Sequence, residues 1–292
     1  MKTLLRIAMV LLLAISVSVG WMVAHESDYI YFPDKTMAQN PHVIGLSFRR
    51  QIFTTADGVT LHGWYMPHRH ARFTLLHLHG NAGNISDRLA QYRRWHDMGL
   101  AVFAFDYRGY GLSSGAPSEE GLYADAQAAW SLLTGALGIP PEHIIIAGRS
   151  LGSAVASHLA TQLTDRPAGL ALEVPFTSIP DMSSAEYPWL PLRWFVHSRF
   201  DNAAAIARIK APLLILSADH DEIIPSWMAG RLVEAHAQAG PLLQARLAGG
   251  HNDFDARSEH DYRRIWLQWL SSLSQTMDAP VHWVLQNRPG RG

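Results

Sequence analysis

His143-Ile144-Ile145-Ile146-Ala147-Gly148-Arg149-Ser150-Leu151-Gly152-Ser153-Ala154 is the stretch on which the reading of this chain turns. Ile144 to Ile146 form the continuous apolar run of a strand buried on both faces. Gly148 and Gly152 flank Ser150 two residues to either side, and small residues then open a helix. A sharp strand-to-helix turn crowds the backbone, and glycine at those two places leaves room for the serine. Ser150 is thereby expected at the carboxyl end of a sheet, just before a helix N-terminus. There, backbone N–H groups can face developing negative charge. The pattern reads as a nucleophile only if a base and an acid follow it downstream.

Composition narrows the classes. The chain has 292 residues, 48% of them apolar and 10% aromatic, enough for a substantial core. A net charge of -1 provides no basic field for a nucleic-acid partner. The absence of cysteine excludes disulfides, thiolate metal sites and a cysteine nucleophile.

At the amino terminus, Lys2 and Arg6 precede an apolar stretch from Ile7 to Ala24. At about 1.5 Å per residue this stretch spans roughly 27 Å, close to the thickness of a hydrocarbon core. Trp21 near its outer end favours an uncleaved anchor over residues 1–25. Ser18-Val19-Gly20 offers the alternative of a cleaved signal. Both readings leave the N-terminus in the cytoplasm and put the rest of the chain outside it. Residues 26–45 read as a linker or lead-in. The aromatics of Tyr29-Ile30-Tyr31-Phe32 are expected either against the domain or at the membrane surface.

Further along, Ser47–Thr54 and Val59–Met66 flank Ala56-Asp57-Gly58, a hairpin signal. Phe73–His79 is a buried strand ending in Gly80-Asn81-Ala82-Gly83-Asn84. That loop's glycines allow close backbone approach, so the Asn81 N–H is expected as one oxyanion donor and the Leu151 N–H as the second. His77 and His79 share a strand face, but no third ligand of suitable spacing follows, and structural histidines are the expectation. A helix from about Ser86 to Met98 and a strand from Leu100 to Phe105 come next. Asp106 and Arg108 are expected to pair in the turn beyond; a catalytic Asp106 is the lesser alternative. A helix follows from Ser118 to about Leu137, then the Ser150 strand, a helix to about Gln162, and a strand over Leu170–Val174. This alternation implies a parallel sheet with right-handed crossovers.

The alternation breaks at Ile179. Prolines at 180, 188 and 191 make 180–200 too interrupted for a regular element, and it reads as a small cap. Its Tyr187, Trp189, Leu190, Leu192, Trp194 and Phe195 are expected either to line an apolar pocket or to pack on the core. Pro212–Ser217 is another buried strand, and Asp221 just beyond it is better placed than Asp219 to orient a histidine. A helix is expected from Ser226, a last strand over Leu242–Leu247, and a long amphipathic helix over Ser258–Leu273. His251, on the glycine loop after the last strand, is the general-base candidate among 16 histidines. The chain order Ser150, Asp221, His251 is that of nucleophile, acid and base in one known arrangement.

On these motifs the chain resembles the α/β-hydrolase-fold serine hydrolases, in the small-capped branch labelled serine aminopeptidase-like. The matching pieces are His79–Asn84, Asp106–Gly111, Gly148–Gly152, Phe176–Asp181, Asp221–Pro225 and Gly250–Asp253. The single departure noted is Ala218, where relatives usually carry glycine. The resemblance implies a mostly parallel eight-stranded sheet with helices on both faces and a small cap at about 180–205. It places the hydrolase domain at 46–276, with a C-terminal tail at 277–292. It further implies a catalytic Ser150, Asp221 and His251, with no cofactor and no metal. The expected partner is a small-molecule acyl substrate, with membrane contact through the N-terminal helix. Cleavage of an ester or thioester is the leading expectation. An aminopeptidase would need an acidic clamp, for which Glu173 and Glu186 are candidates; a non-catalytic binding module is the remaining alternative.

Overall fold

Asp57-Gly58 reverses the chain between β1 (Arg49–Thr54) and β2 (Thr60–Met66), with Gly58 at a left-handed φ of 84°. These strands pair antiparallel, Phe53 opposite Leu61, in the register expected of a short glycine turn. The computed structural model describes residues 1–236 and 239–278. The expected C-terminal tail lies, beyond Asp278, outside the described residues.

Six further strands complete the sheet: β3 (Thr74–Leu78), β4 (Ala101–Asp106), β5 (Ile144–Arg149), β6 (Gly169–Glu173), β7 (Leu213–Ala218) and β8 (Leu242–Leu247). Their order is β1-β2-β4-β3-β5-β6-β7-β8. β2 meets β4 antiparallel, and every later pairing is parallel. Strand side chains alternate between two separate cores, as a period of two requires. Leu76, Phe103, Ile146, Leu170 and Ile215 face one core. Leu75, Val102, Ile145, Ala171 and Leu214 face the other.

Helices cover both faces. α1 is the N-terminal helix Lys2–Ala24, and α2 is Leu89–Asp97. α3 (Glu119–Ser131) begins at the Ser118 cap and continues into a wider turn over Leu132–Ala136, which ends the expected helix. α4 is Leu151–Gln162. The cap differs from expectation: Ile179–Glu186 is a regular helix, α5. Pro180 lies in its first turn, where a missing N–H costs no hydrogen bond, and Ser178 caps it through the Asp181 N–H at 3.2 Å. α6 (Trp227–His236) and α7 (Glu259–Asp278) complete the layers; α7 buries Tyr262, Trp266 and Trp269 against the second core.

α1 is apolar along its length and almost wholly exposed; it is the one helix among the described residues long and apolar enough to cross a membrane. The segment after it is no free tether. Glu26–Ile30 is a short helix, Ile30 and Tyr31 are buried, and Phe32–Pro33 pairs in parallel with Ala82–Gly83.

Candidate active site

β5 delivers Ser150 at φ 51° and ψ -119°, a left-handed conformation rare outside glycine. Such a backbone costs on the order of 1–3 kcal/mol and persists only where its surroundings fix it. Here the Ser150 N–H donates to the Glu173 carbonyl at 2.9 Å. The Ser150 carbonyl accepts from the Ser153 N–H at 2.8 Å and the Ser153 hydroxyl at 2.6 Å. A side chain on Gly148 would strike the Gly152 backbone, and one on Gly152 would strike the Leu78 carbonyl. The two glycines that flank the serine therefore do what the sequence pattern requires of them.

Asp221 and His251 come from loops beyond β7 and β8, adjacent parallel strands. His251 Nδ1 lies 2.9 Å from Asp221 Oδ2 and 3.1 Å from Oδ1. Asp221 Oδ1 also accepts the N–H groups of Ile223 and Ile224 at 2.9 and 2.7 Å. Burial alone would raise the Asp221 carboxyl; the hydrogen bonds from His251 and Ile224 outweigh it and hold the group below its ordinary value. Two residues that the sequence reading passed over fix the His251 backbone. Glu222 Oε2 accepts its N–H at 3.0 Å, and Arg149 donates to its carbonyl at 3.0 Å. Each is the immediate neighbour of an expected site residue, which is the only signal the sequence carried. Asp219 does not reach His251; its Oδ1 accepts the Gly249 N–H at 2.8 Å.

Ser150, Leu151, Asn81 and His251 line one cavity of about 850 Å³. Leu151 is the first residue of α4, where a helix leaves its N–H groups without intrahelical acceptors. The Asn81 loop is braced from three sides: Phe32 N–H donates to the Asn81 carbonyl at 2.9 Å, the Tyr110 hydroxyl donates to the same oxygen at 2.7 Å, and Asn81 Nδ2 donates to the Ile30 carbonyl at 3.0 Å.

The cavity wall is shared between the sheet end, α5 and the N-terminal segment. Met22, Glu26, Tyr29 and Phe32 contribute to it beside Met182, Tyr187 and Leu192. Of the cap aromatics expected at a pocket or on the core, Tyr187 lines the cavity, whereas Trp189, Trp194 and Phe195 are exposed. Glu186 lines the cavity as well. Glu173 does not: it is buried beside the Ser150 turn, accepting from Gln91 Nε2 at 2.7 Å and from the Tyr262 hydroxyl. A carboxylate enclosed in this way cannot clamp a substrate amine. Burial raises the Glu173 carboxyl to about 7.

The remaining polar expectations resolve as framework. Asp106 and Arg108 do not pair. Arg108 binds Asp125 through its backbone N–H at 2.7 Å and its Nε at 2.9 Å, and Asp57 at 2.7 Å. Asp106 is buried, accepts the Ile85 N–H at 2.8 Å, and lies 3.8 Å from His79. It thus supports the base of the Asn81 loop from beneath. His77 packs edge-on against Tyr92 and Trp95, and burial holds its imidazole well below the ordinary value. Burial likewise pushes His79 down to about 3. Among the described residues no set of three His, Asp or Glu side chains is grouped as metal ligands.

The fold and these motifs have counterparts elsewhere. Residues 69–204 match the family described as serine aminopeptidase, S33. An uncharacterized protein of Mycobacterium tuberculosis is 38% identical over 275 residues, covering 92% of this chain and 96% of that one. The alpha/beta hydrolase domain-containing protein WAV2 of Arabidopsis thaliana is 34% identical, covering 76% of this chain and 79% of that one. Among solved structures, an esterase of Pyrococcus furiosus superposes with a TM-score of 0.70 at 16% identity, over 84% of this chain and 98% of that one.

Proposed function

This chain belongs to the alpha/beta hydrolases, and from that membership we propose that it cleaves carboxylic esters or thioesters through an acyl-enzyme formed on Ser150. The observation that carries the proposal is the Asp221–His251 hydrogen bond at 2.9 Å, made where His251 and Ser150 line the same cavity. With Asp221 on Nδ1, the other imidazole nitrogen is free to take a proton. The Ser150 hydroxyl oxygen attacks the substrate carbonyl as His251 Nε2 accepts its proton. The carbonyl oxygen gains the charge, and the N–H groups of Asn81 and Leu151 stabilise it, each by about 3–4 kcal/mol in comparable sites. Collapse breaks the bond to the alcohol or thiol, which leaves with the proton from His251. Water then repeats the sequence on the acyl-enzyme, freeing the acid and restoring Ser150.

Apolar walls from Ile30, Phe176, Ile179 and Leu192 favour an acyl chain in the cavity. α1 acts as an uncleaved anchor in this reading. Lys2 and Arg6 hold its start in the cytoplasm, and the hydrolase domain lies on the far side of the membrane. A fluorophosphonate probe followed by peptide mass analysis tests the nucleophile: labelling is expected at Ser150 and lost in Ser150→Ala. A panel of p-nitrophenyl esters and thioesters set beside aminoacyl anilides tests the bond. Turnover of the anilides alone would overturn the ester reading in favour of a peptidase.

A further inference from the structure

Three cap aromatics face away from the cavity. Trp189, Trp194 and Phe195 are 71%, 77% and 53% exposed, and the Arg193 guanidinium stacks over the Trp194 ring at 5.3 Å. Large aromatic rings gathered in one exposed run mark an interaction surface.

What covers this surface is indicated by what holds it. The Glu26 carboxylate accepts the N–H groups of His197 and Ser198, at 2.8 and 2.7 Å, immediately after the aromatic run. Glu26 lies one residue beyond α1, after the His25 that caps it. Met22, in the last turn of α1, lines the same cavity as Tyr187, Leu192 and Val196 of the cap. The segment that leaves α1 and the end of the aromatic run are thus fixed to each other beside the cavity they both line.

α1 has 23 residues. At about 1.5 Å each these reach roughly 34 Å, against a hydrocarbon core of about 30 Å. Trp21, exposed one turn before the helix ends, suits the headgroup level that tryptophans prefer. That level then falls beside Glu26, and so beside the cap residues that Glu26 binds.

We propose that Trp189, Trp194 and Phe195 seat the cap in the headgroup region of the bilayer that α1 spans, and that the substrates are acyl amphiphiles resident in that bilayer. The substrate half of this inference rests on the hydrolase reading above. Arg193, beside Trp194, suits the phosphate level of the same interface.

The full chain, reconstituted into phosphatidylcholine vesicles with and without lipid brominated near the upper acyl carbons, tests the seating. The emission lost on Trp189→Phe/Trp194→Phe substitution is the emission of those two residues. At least half of it is expected to be quenched by brominated lipid. No quenching would overturn the proposal. So would quenching by lipid that disappears as protein density in the vesicle rises, the signature of a second copy covering the patch. A second arm reads substrate delivery. The Trp189→Ser/Trp194→Ser/Phe195→Ser variant is expected to hydrolyse a long-chain ester carried in the vesicle at least ten-fold more slowly, with turnover of soluble p-nitrophenyl acetate unchanged. An equal loss on both esters, or no loss on the vesicle-borne one, overturns membrane delivery. Wild-type protein inactive on both would sink the hydrolase reading instead, and the bromolipid arm would still decide the seating.

Discussion

The Asn81 side-chain amide donates to the Ile30 carbonyl at 3.0 Å, which ties the loop at the cavity floor to the segment directly behind α1. A backbone N–H can stabilise a developing oxyanion only if its direction is fixed before the reaction. Asn81→Ala keeps the N–H but removes this brace. A single neutral hydrogen bond contributes about 0.5–1.5 kcal/mol. The variant should lower kcat several-fold with KM little changed, as measured by steady-state kinetics on a short p-nitrophenyl ester. An unchanged kcat would overturn the role given to this brace, leaving the Phe32 and Tyr110 bonds to the Asn81 carbonyl to fix the loop.

Asp221→Asn should leave the loop backbone folded, since the Ile223 and Ile224 N–H groups still find an acceptor. In the proposed mechanism the amide would not hold the imidazole in the tautomer that accepts the serine proton. A fall in kcat on the order of 10³–10⁴ is expected by analogy with other triads, with the melting temperature nearly unchanged. Asp219→Asn, at a carboxylate that touches Gly249 rather than His251, should retain most activity.

Glu173 gives the fold a pH dependence whose sign follows from its burial. Its folded value of about 7 stands above the ordinary 4.5. The folded state therefore binds more protons than the unfolded state between those values. Stability contributed by the neutral form is complete below about 4.5, declines as pH rises, and is lost above about 7. The full change is about 3 kcal/mol. Thermal melts of Glu173→Gln and wild type across this window should diverge, the variant losing less stability with rising pH. Parallel melting curves would refute the assignment.

Gly152→Ala inserts a methyl group against the Leu78 and His79 carbonyls. Neither backbone oxygen can retreat without shifting β3, the central strand beside β5. A loss of stability of about 1–3 kcal/mol, the range for overpacking, is expected along with loss of fluorophosphonate labelling. Differential scanning calorimetry and gel fluorescence measure the two effects together. Gly135, where an added Cβ meets nothing within 4 Å, is the control position.

The parts legible in the sequence were those encoded locally. Ile144–Ile146 with Gly148 and Gly152 specify a buried strand and a tight turn, and the glycine loop around His251 follows the last strand. Asp57-Gly58 announces its own hairpin. What the sequence hid was long-range pairing. Glu26 meets Ser198 across 172 positions, and nothing in a polar lead-in distinguishes a staple from a solvated carboxylate. Arg108 has Asp106 as its nearest acidic neighbour in sequence, yet Asp106 is occupied by the Ile85 N–H, and Arg108 turns to Asp57 and Asp125. In the cap, Pro180 reads as a breaker in the sequence, yet it lies in a first helical turn. The prolines around Trp189 and Trp194 also erase the periodicity that would have shown which way those rings point.

Glu26 also bears on processing. It lies downstream of Ser18-Val19-Gly20, the boundary at which a leader could be cut. A protein trimmed there would keep Met22, the Glu26 bonds to His197 and Ser198, and the strand pair between Phe32 and Ala82. Its reaction chamber would lose no wall. Secreted and retained forms of this chain would then share one chemistry and differ in which esters come within reach.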